Sequence, residues 1–344
     1  MSAEKRIFTE APSRINELFD EKRKIEITPQ EKEKYNLLAV GKFKEQNTEV
    51  VESKRESLTP EEEEAKLFVD SYVKDFIEKK NKILAEQGKR LIGDWPKLHT
   101  SNVSEVNGKL EITIQQGAAN YGRLIALGRE EGIGAAYDLY VSTVAEKQIS
   151  FNRFKELFQP TPLAVDGLIF TSDNYILVAK RHPDKVGTYG ESWHVPSGYV
   201  DGTDRNAAGQ IDTFKAMRRE IEEEVGIAEN QVKDLFCVGA AKNQDVSTVN
   251  VLFVGRTDLK STEIVDRSAV DTKKRLLLKP KDIEGDIRPR KVVDSQDQPT
   301  KILPALLKID QIFGKKKKNG PPGPELAIPT SQALFFLADK MLKK

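Results

Sequence analysis

The sequence predicts an α/β fold, because strand-like segments flank one charged helix in the second half of the chain. The segments before the helix are LAVDGLIF, YILVAKR and SWHVPSGYVD, and those after it are DLFCVGA and TVNVLFVGR. The polar residues TSDN between the first two segments are typical of a β-hairpin connection. The order strand, strand, loop, strand, helix, strand, strand therefore places one helix at the centre of a unit that we assign to residues 156–314.

A smaller α+β domain is predicted at residues 58–155. Thr59-Pro60-Glu61-Glu62 has the pattern of a capping box, and the apolar spacing that follows predicts an amphipathic helix that ends near Gly88. KLEITIQQG alternates like a strand, and GAAYDLYVSTVAEKQ is typical of a helix. No chemical motif stands out in this domain.

Both ends of the chain have the composition of extensions. Residues 1–57 are rich in Glu and Lys and poor in aromatic residues, which predicts a charged extension that is helical or partly disordered. Residues 315–344 begin with KKKKNGPPGPE and continue with SQALFFLADKML. We expect a basic linker there, followed by a C-terminal helix.

The composition argues against several classes of partner. The chain of 344 residues carries 55 Lys and Arg against 54 Asp and Glu, so the overall charge favours neither a nucleic-acid nor a membrane-surface partner. Cys237 is the one cysteine, which excludes an intrachain disulfide and a cysteine-based zinc cluster. The start of the chain lacks a hydrophobic targeting region, and the run ALFFLA is too short to span a bilayer. We expect a cytoplasmic protein.

The central helix contains the segment RREIEEEVGI, with three consecutive glutamates. A helix advances by about 100° per residue, which places Glu220, Glu223 and Glu224 on one face. Apolar residues fall on the neighbouring face and Glu222 on the solvent side. Taken alone, such a helix favours a solvated acidic face. The three acids repel one another, however, and a hard divalent cation such as Mg²⁺ would offset that repulsion.

The surroundings of the helix resemble the Nudix hydrolase family, whose signature is G, five residues, E, seven residues, then R-E-U-x-E-E-x-G-U with U apolar. Residues 219–227 match the second half in full, and WHVPSGYVD is similar to the strand and loop that precede it. Ser197-Gly198 stands where a Gly-Gly pair is common in the family. The resemblance covers residues 160–257 and implies a Nudix-type α/β/α sandwich with a mixed sheet.

The first half of the signature departs from the family pattern. Asp204 occupies the position of the expected Glu, and fourteen residues instead of seven separate it from Arg219. The simplest explanation is a seven-residue insertion around RNAAGQI. The helix would then begin near Asp212, which is a suitable N-cap residue. Either Asp204 or Asp201 would take the auxiliary role of the missing Glu.

The resemblance implies a metal-assisted attack of water on a phosphorus atom of a diphosphate. Glu223 and Glu224 would bind Mg²⁺ or Mn²⁺, and Glu220 would complete the metal site or orient the water. The main chain at Ser197 and Gly198 would add a carbonyl ligand. Arg219 would hold the acidic cluster by ion pairing, and Asp245, between the last two strands, is our choice for a second acid.

The substrate implied by the resemblance is a small-molecule nucleotide. The long N-terminal extension and the insertion resemble the branch that hydrolyses nucleoside diphosphate sugars, with ADP-ribose or a dinucleotide as the next choices. Arg181, Tyr189 and Tyr199 are candidate substrate-binding residues, although Arg181 fits an exposed charged loop equally well. A homodimer is left open.

Two alternatives from other functional classes remain. A non-catalytic nucleotide-binding or regulatory protein on a Nudix scaffold would explain the altered first half of the signature, but it would not need the complete second half. RNA binding or decapping would use Lys315–Lys318, and the neutral charge and the lack of an RNA-binding motif disfavour it.

Overall fold

The structure is a computed structural model that describes residues 18–20, 24–54, 57–88, 91–93, 96–144, 148–173, 176, 179–180, 193–260, 263–264 and 329–342. Its α-helices are α1 (Pro29–Lys34), α2 (Pro60–Glu86), α3 (Tyr121–Leu127), α4 (Glu130–Thr143), α5 (Phe151–Phe158), α6 (Thr213–Val225) and α7 (Pro329–Leu342). Its strands are β1 (Leu37–Phe43), β2 (Thr48–Ser53), β3 (Pro96–Val106), β4 (Lys109–Asn120), β5 (Leu163–Phe170), β6 (Ala179–Lys180), β7 (Trp193–His194), β8 (Ser197–Tyr199), β9 (Val232–Asn243) and β10 (Thr248–Thr257).

The larger sheet is mixed and five-stranded, in the order β1-β9-β10-β5-β8. Strand β1 comes from the N-terminal part of the chain, and the other four strands lie between residues 163 and 257. Strand β10 is parallel to β5, and the other neighbours are antiparallel. Strand β8 forms one edge and pairs Gly198 with Val165 and Tyr199 with Ala164. The predicted mixed sheet is therefore confirmed, and its edge carries the loop that precedes α6.

Helices cover both faces of this sheet. Helix α6 packs Phe214, Met217 and Ile221, all fully buried, into a core that includes Val165 and Phe253. Helix α7 packs on the other face in a second core, whose members include Leu168, Leu252, Leu334, Leu337 and Met341. Each such buried side chain contributes about 1.5–3 kcal/mol, so packing on the sheet outweighs the charge repulsion on α6. The α/β/α sandwich predicted from the sequence is confirmed.

The N-terminal unit contains a three-stranded sheet in the order β2-β4-β3 and the helices α2 to α5. The helices share a core built around Tyr140, Phe154 and Phe158. Strand β4 contributes Leu110, Ile112 and Ile114 to the same core as α6. The N-terminal sheet therefore packs continuously against the sandwich, and the domain boundaries at residues 57 and 155 stay predictions.

Part of the predicted N-terminal extension was wrong. Residues 37–43 and 48–53 form strands, whereas we expected helical or disordered structure up to residue 57. Strand β1 pairs with β9, and it buries Leu37 and Phe43. This pairing with a strand far along the sequence overrides the charged local composition. Residues 1–17 lie outside the described residues.

The C-terminal helix is confirmed as α7, and it is a layer of the sandwich. The lysine run Lys315–Lys318, predicted as a linker, lies outside the described residues. None of the helices in the described part of the chain combines the length and hydrophobicity needed to cross a bilayer.

Candidate active site

Helix α6 begins where the sequence predicts, with Asp212 as its N-cap residue. The carboxylate of Asp212 accepts hydrogen bonds from the N–H groups of Phe214 (2.8 Å) and Lys215 (3.2 Å), which is the geometry of an N-cap. Gly226 ends the helix in the left-handed conformation with φ of 74°, which glycine adopts without strain. Glu222 is exposed, as its assignment to the solvent face predicts.

The residues 205–211 form a closed loop at the start of this helix. The carbonyl of Asp204 accepts a hydrogen bond of 2.7 Å from the N–H of Asp212, and Arg205 forms an antiparallel bridge with Ile211. The two ends of the loop are thus one hydrogen bond apart. Without the loop, Asp204 and Arg219 would be separated by residues 212–218, the seven that the family signature requires. This geometry agrees with the predicted insertion.

Arg219 is the centre of the acidic cluster. Its Nε and Nη2 donate to the two carboxylate oxygens of Asp204, each at 2.9 Å. Its Nη1 donates to Glu220 (2.7 Å) and Glu223 (3.3 Å), and its Nη2 also donates to the carbonyl of Tyr199 (3.0 Å). Burial lowers the pKa of Arg219, but its hydrogen bonds to Asp204 and the negative charges of Glu220, Asp204 and Glu223 outweigh this and raise it. The guanidinium therefore stays charged.

The geometry favours a structural role for Asp204, which we expected as an auxiliary acid. Its side chain is buried, and both oxygens bind Arg219 while one also accepts from the N–H of Asp201 at 2.7 Å. A bidentate pair of this kind fixes the orientation of the guanidinium. Asp204 thereby holds Arg219 against the glutamates. Whether it also takes part in catalysis stays a prediction.

Glu220 lies against the main chain of β8. It is 5% exposed, and a Cβ atom built on Gly198 would lie 2.0 Å from its carboxyl carbon. Position 198 therefore needs glycine because the carboxyl group fills the space of a side chain. Burial raises the pKa of Glu220 to about 7, although the charge of Arg219 lowers it.

Gly198→Ala should destabilise the protein by about 1–3 kcal/mol, because the added methyl group overlaps a buried carboxyl group that has little room to move. The matched control is Gly202→Ala, since a Cβ atom at Gly202 meets no atom within 4 Å. Urea unfolding of the two variants measures the difference. Equal stability of both variants would show that Gly198 and Glu220 are not in close contact.

Glu223 and Glu224 lie on the same acidic face of α6 as Glu220. The carboxylate of Glu224 accepts a hydrogen bond of 2.9 Å from the N–H of Ser197. Glu223, whose side chain is 44% exposed, pairs with Arg219. Helix α6 thus directs Glu220 and Glu224 at the two residues of β8, Gly198 and Ser197, that the sequence assigned to the site.

The acidic face of α6 offers oxygen donors of the kind that a hard divalent cation binds. Carboxylate and carbonyl oxygens are the ligands that Mg²⁺ and Mn²⁺ prefer. Burial raises the pKa of Glu220 despite the nearby charge of Arg219, so a bound cation would further stabilise its carboxylate form. Across the described residues, no group of three His, Cys, Asp or Glu side chains is already arranged to hold a metal ion.

The stability of the metal-free protein should fall as the pH rises from about 4.5 to about 7. The folded pKa of Glu220, about 7, lies above the ordinary value of 4.5 for a glutamate, so the folded state binds this proton more tightly than the unfolded state. The free energy of unfolding falls by on the order of 3 kcal/mol in total, and this decrease is complete above the folded pKa.

Glu220→Gln removes the titrating group and keeps its shape, so it should flatten this part of the profile. Urea unfolding of both proteins with a chelator, at pH 5 and at pH 8, measures the effect. Parallel profiles of the wild type and Glu220→Gln would contradict the assignment.

Of the four remaining candidate site residues, the structure describes Tyr199 and Asp245. Arg181 and Tyr189 lie outside the described residues. Tyr199 is half-buried on β8, with the Lys97 ammonium 4.5 Å from its ring centroid. Asp245 is exposed in the turn between β9 and β10, and its N–H donates to Asn243. Its role as a second acid stays a prediction.

Sequence reasoning missed Lys97 and Arg205 as neighbours of the site. Lys97 comes from β3 in the N-terminal unit, and Arg205 links the inserted loop to Glu52 on β2 at 2.8 Å. Neither contact has a local signal, because both join segments that are far apart in the sequence. His99, two residues after Lys97, has a structural partner, since its Nδ1 accepts a hydrogen bond from the N–H of Thr161.

Comparison with known families agrees with this geometry. Residues 160–293 match the family model of the NUDIX domain, a range that contains β5, the inserted loop, α6 and the last two strands of the sheet. A comparison with curated proteins gives no match. Members of the Nudix family are hydrolases of nucleoside diphosphate-linked substrates and generally use divalent metal ions such as Mg²⁺. The chain therefore contains a NUDIX domain at residues 160–293.

Proposed function

We propose that the protein is a metal-dependent pyrophosphohydrolase that cleaves the diphosphate bond of a nucleoside diphosphate linked to another moiety. The observation that carries this proposal is the complete acidic half of the family signature, folded on α6 with its carboxylates turned toward Ser197 and Gly198. A nucleoside diphosphate sugar is the first choice of substrate. ADP-ribose or a dinucleotide is the second.

Glu220, Glu223 and Glu224, with a main-chain carbonyl at Ser197 or Gly198, would hold Mg²⁺ or Mn²⁺. When bound, the metal would neutralise charge on the diphosphate and lower the pKa of water. The chain itself supplies the geometry, because Asp204 fixes Arg219, and Arg219 fixes Glu220 and Glu223.

Glu220 would either complete this metal site or orient the attacking water. In the second role, its carboxylate would accept a proton from the attacking water as the new P–O bond forms. The water oxygen forms a bond to one phosphorus atom as the bridging P–O bond breaks. The bridging oxygen leaves with the other phosphate group and takes up a proton from solvent, so the products are two phosphate monoesters.

The experiment that tests the proposal is product analysis in water enriched in ¹⁸O. UDP-sugars, ADP-ribose, NADH and dinucleoside polyphosphates are incubated with the full chain and Mg²⁺, and the products are identified by mass spectrometry. We expect one class to give a nucleoside monophosphate and a second phosphate ester, with one ¹⁸O in one of the two. Incorporation into the sugar instead would show cleavage of the C–O bond and would overturn the assigned reaction.

A further inference from the structure

The N-terminal unit is attached to the helix and loop that carry the acidic cluster. Arg205 of the inserted loop pairs with Glu52 on β2 at 2.8 Å, and Arg218 of α6 pairs with Glu45 at 3.0 Å. The N–H of Thr100 on β3 also donates to the carbonyl of Thr161 at 2.7 Å, just before β5. These contacts fix the N-terminal unit to the inserted loop, to α6 and to the segment before β5.

Lys97 of β3 is a cation that lies over Tyr199 on the edge strand β8. Its ammonium lies 4.5 Å from the ring centroid of Tyr199, whose own carbonyl accepts from Arg219. Hydrogen bonding from Thr203 lowers the pKa of Asp201, and the charges of Arg219 and Lys97 add to this effect. Lys97 therefore acts electrostatically on the loop between β8 and α6.

The charge balance of the site makes such a cation useful. Arg219 donates to the acids Asp204, Glu220 and Glu223 and to the carbonyl of Tyr199. Glu224 adds a fourth carboxylate, which accepts from the N–H of Ser197. A metal ion bound at the glutamates would contact only some of the negatively charged oxygens of a diphosphate. A lysine ammonium, with three donors and a compact charge, is well suited to a phosphate oxygen.

We propose that Lys97 is a substrate-binding residue that donates to a phosphate oxygen of the substrate, so that the N-terminal unit completes the site of the NUDIX domain. The identity of the substrate rests on the proposed function. Lys97 itself lies outside the residues that match the family. It binds the substrate and takes no part in bond breaking.

Lys97→Ala should raise the KM by on the order of tenfold and change kcat little, because the contact is present before and during the reaction. Lys97→Arg keeps the charge and should recover most of the affinity. Lys109→Ala, an exposed lysine at the start of β4, is the matched control and should behave like the wild type. A kcat loss with an unchanged KM would overturn the proposal.

Binding of inorganic pyrophosphate separates this inference from the proposed function. Isothermal titration calorimetry of the full chain with Mg²⁺ gives its Kd for the wild type, Lys97→Ala and Lys109→Ala. Weaker binding in Lys97→Ala alone supports the inference, even where no nucleotide is hydrolysed. Equal affinity in both variants overturns it and leaves the hydrolase proposal intact if the wild type turns over a nucleotide.

Discussion

Glu224→Gln should lower metal-dependent turnover at least about a hundredfold while the protein stays folded. An amide oxygen can still accept the hydrogen bond from the N–H of Ser197, so the link between α6 and β8 is kept. The negative charge that a divalent cation needs is lost. Steady-state kinetics with Mg²⁺, together with the melting temperature, measures both effects.

The run of three glutamates supplies its own control. Glu223→Gln should behave like Glu224→Gln, because its carboxylate lies on the same face of α6. Glu222→Gln should change turnover less than about twofold, since Glu222 is exposed on the other side of the helix. Equal losses in all three variants would contradict the division of α6 into an acidic and a solvent face.

Arg219→Ala should destabilise the protein by about 3 kcal/mol. Its main partner, Asp204, is 1% exposed and would keep a buried negative charge after both oxygens lose the guanidinium, although the N–H of Asp201 still donates to one of them. Glu220, also buried, would lose its ion pair as well. Arg219 itself is 28% exposed, which places the expected loss at the lower end of the range for buried pairs.

The neighbouring arginine is a matched control for this variant. Arg218 pairs with Glu45, whose side chain is 50% exposed, so Arg218→Ala should cost less than about 1 kcal/mol. Urea unfolding of both variants under metal-free conditions gives the comparison. A loss in Arg218→Ala as large as in Arg219→Ala would indicate that general helix destabilisation, and not the Asp204 pair, is responsible.

The centre of the site could be predicted from the sequence because its determinants are local. The periodicity of α6 separates the apolar residues Phe214 and Met217 from the acidic face within a single helix. The N-cap Asp212 and the end at Gly226 follow from residue type at a fixed offset. The alternation of the strands likewise indicates which residues enter the sheet.

The remaining features depend on contacts that no local pattern encodes. Strand β1 forms because β9, about two hundred residues later, offers an unpaired edge, and a composition-based prediction could not include that partner. The role of Asp204 depends on how the inserted loop closes on Asp212. The position of Lys97 over Tyr199 depends on the packing of the N-terminal sheet against the sandwich.

The most direct test of the central claim is the release of nucleoside monophosphate from the substrate panel, measured with Mg²⁺ and then with excess chelator. We predict turnover of one class of nucleoside diphosphate derivative that stops when the metal is removed and returns when it is restored. Turnover that continues in chelator would contradict a metal site on α6. A panel with no turnover, in which one nucleotide still raises the melting temperature, would show a binding protein on the same scaffold.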